Sequence, residues 1–184
     1  MLKTALRLTY ASIISPLILV VGLFSPIVLG GSNAYAASFS PVHRLYNQSS
    51  GQHLFTIDTN EVTVLLGNPV WTEETSNFQE YTDCNAVAGL THVDRFVNSV
   101  NGEHFLTSDA NESTTLQNNV SVYKYNLEAG GFCAPNSQLA GTNPVYRLSN
   151  RVSGEHFLTS DMNEVTALDG HNNWVSEGTA FYGN

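Results

Sequence analysis

Two runs of β-branched and aromatic residues, Val42 to Tyr46 and His53 to Ile57, flank the polar stretch Asn47-Gln48-Ser49-Ser50-Gly51. The pattern predicts a β-hairpin in which Gly51 is free to take a positive φ. A four-residue loop, Gln48 to Gly51, pairs Asn47 with Gln52 and puts Arg44, Tyr46, His53 and Phe55 on one face. An odd loop length would turn His53 to the other face. Asp58-Thr59-Asn60-Glu61 then precedes the apolar spacing Val62, Leu65 and Leu66. An acid at the N-cap with Glu at N3 is a capping-box arrangement, so a short helix is expected there.

The same hairpin-helix pattern returns twice. Gly102 to Asp109 and Gly154 to Asp161 both read GEHFLTSD, and Gly51 to Asp58 reads GQHLFTID. Over 24 aligned positions, eleven residues agree in all three copies, among them Arg44/Arg95/Arg147 and His53/His104/His156. The acids of the helix start agree as well: Asp58 with Glu61, Asp109 with Glu112, and Asp161 with Glu164. A second stretch follows each helix. Trp71 to Phe78 and Trp174 to Phe181 share Trp, Glu and Phe at the same spacings, and Trp174 to Tyr182 reads as a strand. The middle copy holds Glu128-Ala129-Gly130-Gly131-Phe132 and lacks the tryptophan, with Val122 or Tyr123 expected in its place. The units run over 41–84, 92–133 and 144–184.

Units this small cannot each bury a core, so the three are expected to pack around a shared interior. The expectation is a β-rich α+β domain of three hairpin–short helix–strand repeats, closed about a pseudo-threefold axis in a trefoil-like or propeller-like way. An open solenoid is the alternative.

The N-terminus reads as an address. Lys3 and Arg7 precede the nearly all-apolar run Ile13 to Leu29, and Ala34-Tyr35-Ala36 offers small residues where a signal peptidase reads. Residues 1–36 are therefore expected to be a signal peptide, leaving 37–184 as a single secreted domain with no membrane association after cleavage. That segment keeps five basic residues against sixteen acidic ones, 5 − 16 = −11, which argues against nucleic acid as a partner. Its two cysteines, Cys84 and Cys133, are expected to form a disulfide in an oxidising compartment.

Turns and helix caps account for the repeated Asn, Gly and Asp, but they require neither Arg nor His. Three readings of the Arg–aromatic–His cluster stand open: a buried structural network, a ligand pocket, or three histidines converging on zinc. The ligand-pocket reading gathers Arg44, Tyr46, His53 and Trp71 in the first unit, Arg95 and His104 in the middle one, and Arg147, Tyr146, His156 and Trp174 in the third. Each tryptophan is either core or contact. A helix-loop calcium site fails, because position 12 counted from each Asp holds Pro69, Val120 and Asn172 where a Glu is needed. No hydrolase, zinc-protease, dinucleotide or phosphate-loop motif occurs. Neither a cofactor nor a resident metal is expected.

Val-Tyr-Arg-Leu, Gly-Glu-His-Phe-Leu-Thr, Asn-Glu, then Trp and Glu-Gly-x-Ala-Phe-Tyr resemble a secreted repeat family of unknown function, found in bacterial and fungal extracellular proteins and sometimes beside cell-wall hydrolases. The resemblance covers essentially the whole of the chain after the expected signal peptide. It implies an extracellular module that binds glycans, and it transfers no catalytic residue. The leading expectation is a non-enzymatic module for a cell-wall or host glycan, with better sites in the first and third units. A secreted hydrolase with an unrecognised site and a structural or adhesive repeat are the alternatives.

Overall fold

The computed structural model describes residues 38–184. The expected signal peptide, 1–36, lies outside the described residues. Strand β1 (Phe39–Pro41) leads into the hairpin β2 (His43–Asn47) and β3 (Gln52–Thr56), then helix α1 (Thr59–Leu66), β4 (Trp71–Glu74) and β5 (Gln79–Tyr81). The middle unit follows as β6 (Leu90–Asn98), β7 (His104–Thr107), α2 (Ala110–Asn118), the single turn α3 (Val120–Tyr123) and β8 (Tyr125–Pro135). The third comprises β9 (Asn143–Asn150), β10 (His156–Thr159), α4 (Met162–Leu168) and β11 (Trp174–Gly183).

These strands form three antiparallel sheets, ordered β3-β2-β4, β1-β5-β8-β6-β7 and β10-β9-β11, and none closes into a barrel. Each hairpin's first strand lies between its partner and the strand that follows the helix. The fold is β-rich with a few short helices.

The hairpins are set by their turns. Asn47 pairs with Gln52 and Tyr46 with His53, as a four-residue loop requires. The Asn47 side chain accepts hydrogen bonds from the backbone N–H groups of Ser49 and Ser50, and Gly51 takes φ 75°. Asn98 and Asn150 serve the other two loops in the same way.

Helices of seven to nine residues are too short to persist alone. Each is held by its cap and by one or two buried residues: Val62 in α1, Ser113 and Leu116 in α2, Val165 in α4. Asp58, Asp109 and Asp161 accept from the N–H groups of Asn60, Asn111 and Asn163. The glutamates at N3 do not return the capping-box bond. The N–H groups of Asp58, Asp109 and Asp161 donate instead to Thr56, Thr107 and Thr159 Oγ1, which leaves Glu61, Glu112 and Glu164 for other partners.

The central core takes matching residues from all three sheets. Val42, Val93 and Val145 are fully buried, and Phe55, Leu106, Leu158, Phe78, Phe132 and Phe181 pack in the same cluster. Each such side chain contributes about 1.5–3 kcal/mol on burial, so this cluster is the main apolar stabiliser. Cys84 and Cys133 form a disulfide with a Cα–Cα distance of 5.1 Å, tying the segment after β5 to β8 beside the Tyr81–Cys133 strand pair. Among the described residues, no helix is long and apolar enough to cross a membrane.

Candidate functional site

Period-two alternation puts Arg44 and Tyr46 on one face of β2, with Phe55 and His53 opposite them on β3. The partners of that cluster come from another unit. Arg44 donates through Nη1 and Nη2 to the two oxygens of Glu164 on α4, both at 3.1 Å. Its Nε lies 3.1 Å from Glu74 Oε2 on β4, close enough for charge pairing but not aligned as a hydrogen bond. Arg95 makes the same bidentate contact with Glu61 on α1, at 2.7 Å twice, and Arg147 with Glu112 on α2, at 2.9 and 3.1 Å. The first unit's arginine thus reaches the third unit's helix, the second reaches the first, and the third reaches the second.

A second acid completes each arginine. Glu74, Glu128 and Glu177 stand at matching places on β4, β8 and β11 and approach the Nε atoms of Arg44, Arg95 and Arg147. The sequence pattern assigns these three no role, although each follows an aromatic residue by three positions. Burial, the largest single influence, would raise the Glu61 pKa, but the hydrogen bonds from Arg95 and Thr56 and the nearby positive charge together outweigh it and hold that carboxyl below the ordinary range. At Glu177 the charge and hydrogen bond of Arg147, with His156 and Ser149 beside it, likewise outweigh burial and lower the pKa.

The histidines also reach across units. His53 Nδ1 lies 2.5 Å from Glu155, and His156 Nδ1 lies 2.6 Å from Glu103. In the first unit that acid is replaced by Gln52, and His104 Nδ1 turns to Glu128 at 2.6 Å. Tyr125 donates its hydroxyl to Glu103, and burial, first of all, pushes that phenol pKa up.

Tyr125, rather than Val122 or Tyr123, is the middle unit's counterpart of the tryptophans. It pairs with Asn98 as Trp71 pairs with Asn47 and Trp174 with Asn150. The α3 turn inserts extra residues ahead of it and hides the match from a count forward. Counting seven residues back from Phe132 recovers it.

Three recesses open between units, each beside one Arg–Glu pair. The largest, about 660 Å³, brings together Arg44, Tyr46, His53 and Glu74 with Glu155, Phe157, Glu164 and Trp174. Trp174 therefore joins Arg44 and His53 of the first unit, not Arg147 and His156 of its own. The matching recess at Arg95 is about 500 Å³ and is walled by Leu65, Ala129 and Gly130 with no aromatic ring. The one at Arg147 is about 180 Å³. Trp71 packs against Leu45, Leu54 and Val62. Tyr146 precedes Arg147 by one residue, so it faces away from it and packs on the central core.

The largest recess is also the most aromatic. Arg44 stacks over Phe157 at 4.9 Å, His53 meets Phe157 edge-on, and Phe157 meets Trp174 edge-on at 6.1 Å. At the repeat position of Phe157 the first unit carries Leu54, and in the middle unit Val97 stands opposite His104 as Tyr46 stands opposite His53. Among the described residues, no three His, Cys, Asp or Glu side chains are grouped to hold a metal ion, so the converging-histidine arrangement is not formed there.

A family described as a domain of unknown function, DUF5648, matches residues 41–184. The chain belongs to that family. The match takes in the three hairpins, the Arg–Glu pairs and the recesses beside them. No curated protein and no solved structure matches the chain. For this DUF5648 chain, the geometry of the recesses is therefore the basis for a functional reading.

Proposed function

We propose that the chain is a secreted, non-enzymatic binding module whose ligand is a carbohydrate, held in the recess between the first and third units. The single observation that carries this reading is the meeting of Trp174 and Tyr46, from two different units, on one open recess of about 660 Å³. That volume lies within the ordinary range for small-ligand sites, and aromatic faces beside carboxylates and an arginine suit stacking on sugar rings with hydrogen bonds to hydroxyls. The acids and bases of the recess hold one another: both ring nitrogens of His53 meet carboxylates, and Arg44 is shared by Glu74 and Glu164. An arrangement so committed favours binding over proton transfer.

The same ion pairs support a closed threefold arrangement of the repeats. The sequence of contacts, first unit to third, third to second, second to first, returns to its start, which an open solenoid would not do. Unequal aromatic content makes one recess, not two or three, the ligand site. A glycan array probed with the oxidised chain of residues 37–184 tests the reading. Binding is expected and should be lost in Trp174→Ala; an empty array, or one that Trp174→Ala leaves unchanged, overturns it.

A further inference from the structure

The recess at Trp174 has committed its charged donors and kept its acceptors. Both Nη groups of Arg44 go to Glu164, and its Nε faces Glu74. His53 places one ring nitrogen 2.5 Å from Glu155 and the other 3.2 Å from Glu74. Three carboxylates thus surround one guanidinium and one imidazole, a local charge of −2 with the imidazole neutral and −1 with it protonated. The side chains of Glu74 and Glu164 remain 37% and 32% exposed, so part of their lone-pair capacity faces the opening. A neutral sugar can satisfy those oxygens with hydroxyls. An ammonium group satisfies them with three donors and a positive charge, beside an indole face that also attracts cations.

We infer that the recess selects an amine-bearing sugar, such as an oligomer of glucosamine, over its N-acetylated and its anionic counterparts. This rests on the recess being a glycan site. Acetylation removes the charge and adds an acceptor where the recess already has too many, while a uronic acid sets a carboxylate against three others.

The test uses the oxidised chain, with Trp71→Phe leaving Trp174 as the sole indole for fluorescence. Hexamers of glucosamine, N-acetylglucosamine and galacturonic acid are titrated at pH 6 in low salt. The glucosamine hexamer is expected to bind at least tenfold more tightly than the N-acetylated one, with the uronic acid weakest. Glu74→Gln should narrow the first two to within about threefold; a gap that stays tenfold or more in a folded Glu74→Gln overturns the assignment to this recess. Because the chain is acidic throughout, a polycation can gather elsewhere on it. Calorimetry on Trp174→Ala, which keeps the charge, separates the two: undiminished glucosamine binding overturns the inference. Should Glu74→Gln fail to fold, the wild-type ranking of the three hexamers still decides. Equal affinities for the amine and acetyl forms overturn the inference and leave the glycan reading standing, whereas no response of Trp174 to any glycan overturns both.

Discussion

Arg44 and Glu164 are 120 residues apart in the chain and are joined by two parallel hydrogen bonds of 3.1 Å. The guanidinium is nearly buried and the carboxylate about one-third exposed. Removing one partner leaves the other charge without its counterpart, which is the costly way to break such a pair. Arg44→Met is expected to lower stability by about 2–3 kcal/mol, because Glu74 and Glu164 then repel one another beside Glu155. Glu164→Gln should cost less, about 1 kcal/mol, since one bond survives and the site is partly hydrated. Urea unfolding of both variants checks the order. Equal costs would show that the pair is worth only its Coulomb attraction.

Glu80 faces an opposite situation. It lies fully buried on β5 with both carboxylate oxygens unpartnered among the described residues, and burial pushes its pKa up to about 9. The folded chain keeps a proton there that the unfolded chain gives up near pH 4.5. The stability tied to this group is therefore complete below that pH and is lost as pH rises toward 9. Glu80→Gln should raise stability by about 1–3 kcal/mol at pH 8 and change little at pH 4. Melting curves across that range decide it. A Glu80→Gln protein less stable than wild type at pH 8 would mean the carboxylate is paired and ionised.

The lowered carboxyls act on the acid side. Glu61 and Glu177 ionise more readily in the folded chain than in the unfolded one, so their contribution is present above the ordinary carboxylate pKa and is lost as pH falls below it. Glu61→Gln is expected to flatten the acid limb of the stability profile and leave its alkaline limb unchanged. An acid limb identical to wild type would contradict the Arg95 pairing.

The hairpins and their register were legible in the sequence, because Asn-to-Gly loops and period-two alternation are local properties. The aspartate caps were legible for the same reason. Partner choice across units was not. Arg44 needs an acid, but only the packing of α4 against β2 tells which of the repeated glutamates it takes. The sequence groups Trp174 with Arg147 and His156 because they share a unit, whereas the recess forms where units meet. Glu61, Glu112 and Glu164 look like capping-box members until Thr56, Thr107 and Thr159 take the N-cap amides and leave them to the arginines. The repeated Thr was the available clue.

Gly130 marks a further constraint that alignment conceals. Its φ is 107°, and a Cβ built there would lie 2.4 Å from the Arg95 guanidinium carbon. Arg95 lies flat across this glycine to reach Glu61. Gly130→Ala is expected to displace Arg95 and destabilise the chain by about 2 kcal/mol or more, through backbone strain and a broken ion pair together. In the double variant Gly130→Ala, Arg95→Met the two losses should be less than additive; additive losses in a double-mutant cycle would separate the glycine from the arginine.

Ligand entry into the recess where the first and third units meet is read out by the two indoles. In a ¹⁵N-labelled sample, the indole N–H resonances of Trp71 and Trp174 are assigned by single Phe substitutions and followed while the glucosamine hexamer is added. A saturable shift of the Trp174 resonance is expected, with Trp71, packed on Leu45, Leu54 and Val62, left in place. A Trp174 resonance that stays fixed while the hexamer binds, or a shift confined to Trp71, would contradict it.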